Sequence, residues 1–318
     1  MMTDNIDWSM KYPVCPSCGS KFVTEIGEIP AENVFASKTL NHVLYGGFLW
    51  KCRNCNLYFR WPRLSVEELS RLYINGDIHA WENDPIKRID WQTAANWITP
   101  TLTAEDSVID IGCSTGLFLT RVLKEEAKKY GVEINKGAAQ IAGERGVHII
   151  CHEIDEPELD KYRGQFAVVF AFDVIEHVEN PLQFLERCKS LVRPDGRIII
   201  STGNTDSIAW RLSKARYWYC TIPEHISFIN EKWCDYASKK HGLHLERKKF
   251  FSHASSRGLS CVKQTLLNTI NIFAPKVLYS MRRSGFGKLD TRKHPELAAH
   301  PPIWITAKDH FIVQMQRL

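Results

Sequence analysis

The chain has 318 residues, 44% hydrophobic and 24% charged, with a net charge of +5. That balance excludes a disordered chain and fits one large or two modest globular domains with a buried core. No uninterrupted apolar run approaches membrane-spanning length, and Met1 to Tyr12 lacks a basic-then-apolar leader pattern, so secretion and a spanning anchor are not expected. Ten cysteines, several scattered through expected core elements (Cys113, Cys188, Cys234), point to a reducing compartment; the expected location is the cytoplasm.

Cys15-Pro16-Ser17-Cys18 and Cys52-Arg53-Asn54-Cys55 are two C-x-x-C knuckles, a set of four thiols suited to one tetrahedral structural zinc. Between them Phe22 to Thr24 and Tyr45 to Trp50 read as short strands about a Gly46-Gly47 turn, the pattern of a zinc ribbon over residues 1–62. Four thiolates close the coordination shell, which leaves no open position for metal catalysis. Glu25, Glu28 and Glu32 offset Lys21, Lys38, Lys51 and Arg53, so the ribbon has no basic stripe for nucleic acid. Its expected work is to brace the main domain or shape a pocket. A helical linker or lid follows at 63–100: Ser65-Val66-Glu67-Glu68 is a capping box for a helix to about Tyr73, Asn75-Gly76-Asp77 a loop, and Asp84 to Ile98 a helix bearing Trp91 and Trp97.

From 101 to the end, apolar runs alternate with helical patterns as in a doubly wound α/β sheet: strand 107–111, helix 117–128, strand 130–134, helix 136–145, strand 147–151, strand 166–172, helix 181–191, strand 197–202. The segment Val108-Ile109-Asp110-Ile111-Gly112-Cys113-Ser114-Thr115-Gly116 is a buried strand turning through small residues into a helix, the form of a nucleotide site. It lacks the Gly-Lys-Ser/Thr of a P-loop and the G-x-G-x-x-G of pyrophosphate binders. What remains is Asp-x-Gly-x-x-x-Gly, with Glu133 about twenty residues later at the end of a second strand, where a carboxylate can accept both ribose hydroxyls. Ligands sit at strand carboxyl ends, so Gly112, Glu133, Asp155 and Asp173 should converge on one crevice.

These residues resemble the class I S-adenosylmethionine-dependent methyltransferases. Asp110 to Gly116 is similar to their motif I, Glu133 to their ribose-binding acid, Asp173-Val174-Ile175-Glu176-His177-Val178 to the run ending strand four, and Arg193-Pro194-Asp195-Gly196 to the turn into strand five. Ser114 departs from the glycine of many members but keeps a small residue. The resemblance, over roughly Ser107 to Thr202, implies a Rossmann-like class I methyltransferase sheet. It implies S-adenosylmethionine held by Asp110, Gly112, Cys113, Gly116, Glu133, Ile134, Asp155, Phe172 and Asp173. In this family the chain before the core commonly covers the cofactor, which makes Tyr73 and Trp81 candidate lid aromatics.

Ile222-Pro223-Glu224-His225-Ile226-Ser227-Phe228 resembles the P-E-H-x-x-F segment of zinc-ribbon methyltransferases found with bacterial surface-glycan genes. The resemblance implies O-methylation of a sugar or other small acceptor, including a lipid-linked glycan. Methyl transfer to oxygen needs a base, and the candidates are His225 and His177; each could instead be structural. Trp210, Tyr217, Trp218 and Tyr219 suit stacking on a sugar face or lining a core. Two other functions stay open: C-methylation of a nucleotide-linked sugar, and a zinc-ribbon adaptor with a vestigial cofactor fold.

A helix near 231–240 and a strand near 243–251 should precede a partner strand at 309–315, with an insertion at about 252–304. From Arg257 to Lys293 the insertion holds eight basic residues and one acid, Asp290. Leu259, Val262, Leu266, Leu267, Ile270 and Phe273 recur at helical spacing until Pro275 interrupts. A basic amphipathic segment of this kind suits peripheral membrane contact, packing on its own domain, or subunit contact; the oligomeric state stays open.

Overall fold

A computed structural model describes residues 13–74, 88–124, 126–252, 258–285, 291, 293–304 and 308–318. Among the sequence expectations, Trp81, the 75–77 loop, the start of the helix expected at Asp84, and Arg257, Lys288, Asp290 and Arg292 lie outside these residues.

The N-terminal module is built from β1 (Val23–Glu28), β2 (Glu32–Phe35), β3 (Lys38–Leu44), β4 (Phe48–Cys52) and β5 (Tyr58–Trp61). β1, β4 and β5 form an antiparallel sheet, and β2 pairs with β3 as a separate hairpin. The sheet gains a fourth strand from far along the chain, Ser227–Phe228, which pairs with β5. α1 (Val66–Ile74) starts with the Ser65 hydroxyl accepting the Glu68 N–H at 3.2 Å, and α2 (Ile89–Ile98) follows.

The main sheet is assembled from β6 (Ser107–Ile111), β7 (Lys128–Val132), β8 (His148–Cys151), β9 (Phe166–Phe172) and β10 (Val192–Gly203), with α3 (Lys136–Glu144) and α4 (Pro181–Leu191) between them. After β10 come α5 (Ile208–Ser213), α6 (Trp218–Thr221), the ribbon-pairing strand β11 (Ser227–Phe228), α7 (Glu231–His241) and β12 (Leu243–Phe251). The insertion is two helices, α8 (Leu259–Phe273) and α9 (Pro275–Arg283), before β13 (His310–Arg317). Strand order across the seven-stranded sheet is β12-β13-β10-β9-β6-β7-β8. β6 to β10 are parallel and β13 runs antiparallel to both its neighbours.

Alternation along the central strands divides the core in two. Ile109, Ile111, Val169, Ala171, Ile198 and Ile200 face one layer, with α4 and α7. Val108, Val168, Phe170, Phe172 and Ile199 face the other, with Trp91, Ala94, Ala95 and Ile98 of α2. Asparagine side chains cap three helices: Asn135 accepts from Gly137 and Ala138, Asn180 from Gln183, and Asn230 from Trp233.

Two boundaries differ from the sequence expectation. The helix expected over 117–128 is a single π turn, Phe118–Val122, because Lys128 and Lys129 are drawn into β7 by parallel pairing with Ser107 and Val108. Consequently β7 ends at Val132, and Glu133 sits just past its carboxyl end instead of within the strand. β10 also begins earlier than expected, at Val192, with the Arg193–Gly196 turn absorbed as an irregularity between its pairings to Phe166 and Val168.

Ribbon and sheet share one interior. Cys15, Cys52, Cys55, Leu57 and Phe59 pack in the same cluster as Ile175, Ile229 and Trp233. The Trp233 indole N–H donates to Ser17 Oγ at 3.0 Å. Arg60 on β5 is fully buried, and its guanidinium donates to the carbonyls of Gly46, Cys220, Ile222 and His225.

Candidate active site

A cavity of about 480 Å³ opens at the carboxyl ends of the parallel strands. Its floor is the loop after β6. Gly112 has φ +75°, and a Cβ there would lie 2.6 Å from Val174 Cγ2, so glycine lets this loop approach the chain leaving β9. Ser114, two residues on, also sits in the left-handed region at φ +48°, where the glycine of other members would be unstrained.

Glu133 forms the side wall. Its two carboxylate oxygens each accept one backbone N–H, from Ser114 and from Asn135, both at 2.8 Å. Those bonds fix the carboxylate at the cavity while each oxygen keeps a lone pair for a hydroxyl. Burial pushes its pKa up, against the two N–H donors. Asp110 is buried, its carboxyl is raised by burial to about 8, and its Oδ1 has no hydrogen-bond partner among the described residues. The same holds for the Ser114 hydroxyl.

Cys113, Ile134, Asp155, Phe172 and Asp173 also line the cavity. Gly116 does not: a Cβ there would meet Val147 at 2.9 Å and Ala142 at 3.2 Å, so this glycine serves the packing of the loop on α3 and β8.

Tyr73, Arg88, Trp91 and His177 also line the cavity. The Arg88 guanidinium lies 4.6 Å over the Trp91 ring and donates to Asp90 and, at 2.6 Å, to Asp173. Asp173 itself has φ +53°. His177 Nδ1 is 3.1 Å from the Glu224 carbonyl and 2.7 Å from the Tyr73 hydroxyl. A carbonyl only accepts, so in the tautomer protonated at Nδ1 that nitrogen donates to Glu224, and the ring is tied to the backbone of Asp173 as well. Burial holds the His177 pKa below its usual value, which keeps the ring neutral.

His225 lies behind His177, with ring centroids 4.8 Å apart, and outside the cavity lining. Its Nδ1 donates to the Tyr219 carbonyl at 3.0 Å, and burial holds its pKa well below the usual value. Trp210, Tyr217 and Tyr219 are buried, with Trp218 packed against them, in a cluster with Ile29, Leu49 and Phe228. Of the two readings open for these aromatics, the structure gives core lining and not a sugar platform. Arg88 and Trp91 were not singled out by sequence as site residues. The available signal was an arginine directly before a helix that begins with an acid and a tryptophan.

Among the described residues, two clusters have donor sets suited to metals. Cys15 and Cys55 sulfurs are 3.5 Å apart, Cys18 and Cys52 sulfurs 3.6 Å, and all four sulfurs lie within 4.8 Å of one another. A tetrahedral zinc with Zn–S of about 2.3 Å needs sulfurs roughly 3.8 Å apart, so the cluster fits a structural zinc site. Glu176, His177 and His225 also come within 4.8 Å. There the Glu176 carboxylate already accepts the Tyr219 and Thr202 hydroxyls, one on each oxygen.

Residues 88–247, half of the chain, match the methyltransferase-domain family. The chain is a class I S-adenosylmethionine-dependent methyltransferase. This methyltransferase is 31% identical over 111 residues to the ubiquinone biosynthesis O-methyltransferase of Erwinia tasmaniensis, covering 33% of this chain and 46% of that protein. It is 30% identical over 150 residues to the enzyme of the same name from Histophilus somni, covering 43% and 60%. The chain thus spans about half the length of the curated relatives it matches. In fold it is similar to a SAM-dependent methyltransferase from Archaeoglobus fulgidus, at 15% identity, TM-score 0.45, and coverage of 80% of this chain and all of that one.

Proposed function

We propose that the methyltransferase acts on an oxygen of a sugar or other small acceptor, a lipid-linked glycan included, with His177 as the base. Bound in the cavity, S-adenosylmethionine supplies the methyl group. Glu133 would accept the ribose hydroxyls on the lone pairs that Ser114 and Asn135 leave open. Asp110 and the Gly112 loop would form the floor, Cys113, Ile134, Asp155 and Phe172 the surrounding wall, and Asp173 with Arg88 a polar part of it. Gly116 would act through the packing that shapes the loop.

The observation that supports this reading is that one cavity is lined both by a carboxylate fixed by two backbone N–H groups and by a histidine held neutral by burial, which would take the acceptor's hydroxyl proton. Tyr73 and the Glu224 carbonyl orient His177 from behind. His225 becomes a positioning residue, packed edge-on against His177. The O-methyltransferase names of the relatives, which match over only part of their length, support oxygen as the methylated atom over the carbon of a nucleotide-linked sugar.

The test pairs two variants under calorimetry with S-adenosylmethionine and a turnover assay on candidate glycan intermediates. Glu133→Ala should weaken cofactor binding by about two orders of magnitude, given two charge-assisted hydrogen bonds lost. His177→Ala should bind the cofactor as the parent does and lose turnover by about 10²–10⁴-fold. Turnover unchanged in His177→Ala would remove the base assignment; cofactor binding unchanged in Glu133→Ala would remove the ribose assignment.

A further inference from the structure

Helix α8 is amphipathic, but it is mounted with its faces reversed. Leu259, Val262, Leu266 and Phe273 recur at three, four and seven residues along one side, and they are 88%, 65%, 58% and 78% exposed. The side turned to the protein is polar at its centre, with Leu267, Ile270 and Ile272 half-buried around it. Asn268 and Asn271 are its buried residues. The Asn268 side-chain amide donates to the carbonyls of Gln264 and Ile303, and Asn271 Oδ1 accepts from the Arg216 guanidinium at 3.1 Å.

A helix stabilised by its own domain buries the apolar side. Here asparagine hydrogen bonds help to hold the helix and an apolar stripe is left outward, over a length of about 22 Å. The patch continues beyond α8: α5 packs against it and exposes Ile208 and Leu212, and Ile303 is also exposed. An outward apolar stripe of this kind marks a docking site.

Charge selects the occupant. From Gly258 to Gly285 there is no acid, while Lys263, Lys276, Arg282 and Arg283 are all basic. Lys263 lies on α8 beside the stripe and is exposed; Lys276 and Arg283 are exposed on α9. A second copy of the chain would bring the same cations to the same place, and like charges would meet across the interface. An anionic bilayer surface offers both complements, acyl chains for the stripe and phosphate headgroups for the cations. No described helix is long and apolar enough to cross a membrane, which suits a helix lying in the interface.

We infer that the outward face of α8, flanked by Lys263, Lys276 and Arg283, docks the protein peripherally on anionic lipid. This goes beyond the methyl-transfer reading and holds for any acceptor.

The test is flotation of the full chain with vesicles of phosphatidylcholine alone or mixed with phosphatidylglycerol, at low and high salt. The protein should float with the anionic vesicles and release as salt rises. The double variant L259S/L266S should lower that association by about tenfold or more, and K276E/R283E should abolish the preference for anionic lipid. Calorimetry with S-adenosylmethionine should be unchanged in both, which separates lost docking from lost fold and from any failure of the cofactor-site assignment. Three results would overturn the inference: no association with either vesicle, equal association with neutral and anionic vesicles, or serine variants that float like the parent. So would a concentration-dependent dimer in the parent that L259S/L266S dissolves without any lipid binding, since the occupant would then be a second copy.

Discussion

The ribbon and the α8–α9 insertion are both additions to the same sheet, and they are joined to it in opposite ways. The ribbon contributes buried cysteines and Phe59 to the common core and receives β11 into its sheet. The insertion's α8 is tied down by hydrogen bonds through asparagines and an arginine and keeps Leu259, Val262, Leu266 and Phe273 outside. The lesson is that periodicity reports how many faces a segment has but not which face the protein takes.

The contrast breaks most sharply at the metal cluster. Cys52→Ser, or removal of metal by a chelator, should destabilise the whole chain and not the ribbon alone, by roughly 4 kcal/mol or more, because the sulfurs sit in the shared interior. Thermal unfolding followed at two wavelengths checks this; a separate early transition confined to the ribbon would count against a single cooperative unit. A smaller effect is expected at the attachment of the insertion. Asn268→Ala removes an amide that satisfies two carbonyls and should cost about 1–3 kcal/mol, read as faster hydrogen exchange across 259–273 with the sheet unchanged. Smallest of all, Leu266→Ser should shift stability by no more than about 0.5 kcal/mol; a large loss in urea titration would mean the stripe is core after all.

A pH series sharpens the same comparison at the seam. The Glu176 carbonyl accepts the N–H groups of Ile226 and Ser227, the chain that leads into the ribbon's sheet, and burial raises its carboxyl to about 7. A carboxyl whose folded pKa lies above its unfolded value stabilises the fold below the unfolded value and loses that contribution as pH rises through the folded one. Stability should therefore fall between about pH 4.5 and 7, and Glu176→Gln should flatten the slope. An unchanged slope would show that Glu176 does not titrate in that window.

Much of the fold was legible because its signals are local. The parallel strands are apolar on both faces, Ser65 caps the helix it precedes, and Asp110, Gly112 and Glu133 carry their spacing in the chain. The 117–128 helix was misjudged because pairing of Lys128 with Ser107 is a tertiary choice that no local pattern announces. Tyr73, expected as a lid aromatic from the family resemblance, lines the cavity, whereas Arg88 reaches it from outside the strand-loop-helix units, where sequence offers no register with the site. His225 resembled His177 in sequence terms, and only packing separates one at the cavity from one behind it. The facing of α8 was beyond reach for the same reason, since the hydrophobic repeat reads identically whether the stripe turns inward or outward.

Arg60 carries a consequence for dissecting this enzyme. A chain shortened to begin after Pro62 would strand the carbonyls of Cys220, Ile222 and His225, which that one guanidinium now satisfies in the interior. Expression of the sheet by itself should therefore yield a protein whose 220–228 loop is disordered, and adding back the separate N-terminal fragment should restore it only if β5 can re-enter beside Ser227–Phe228.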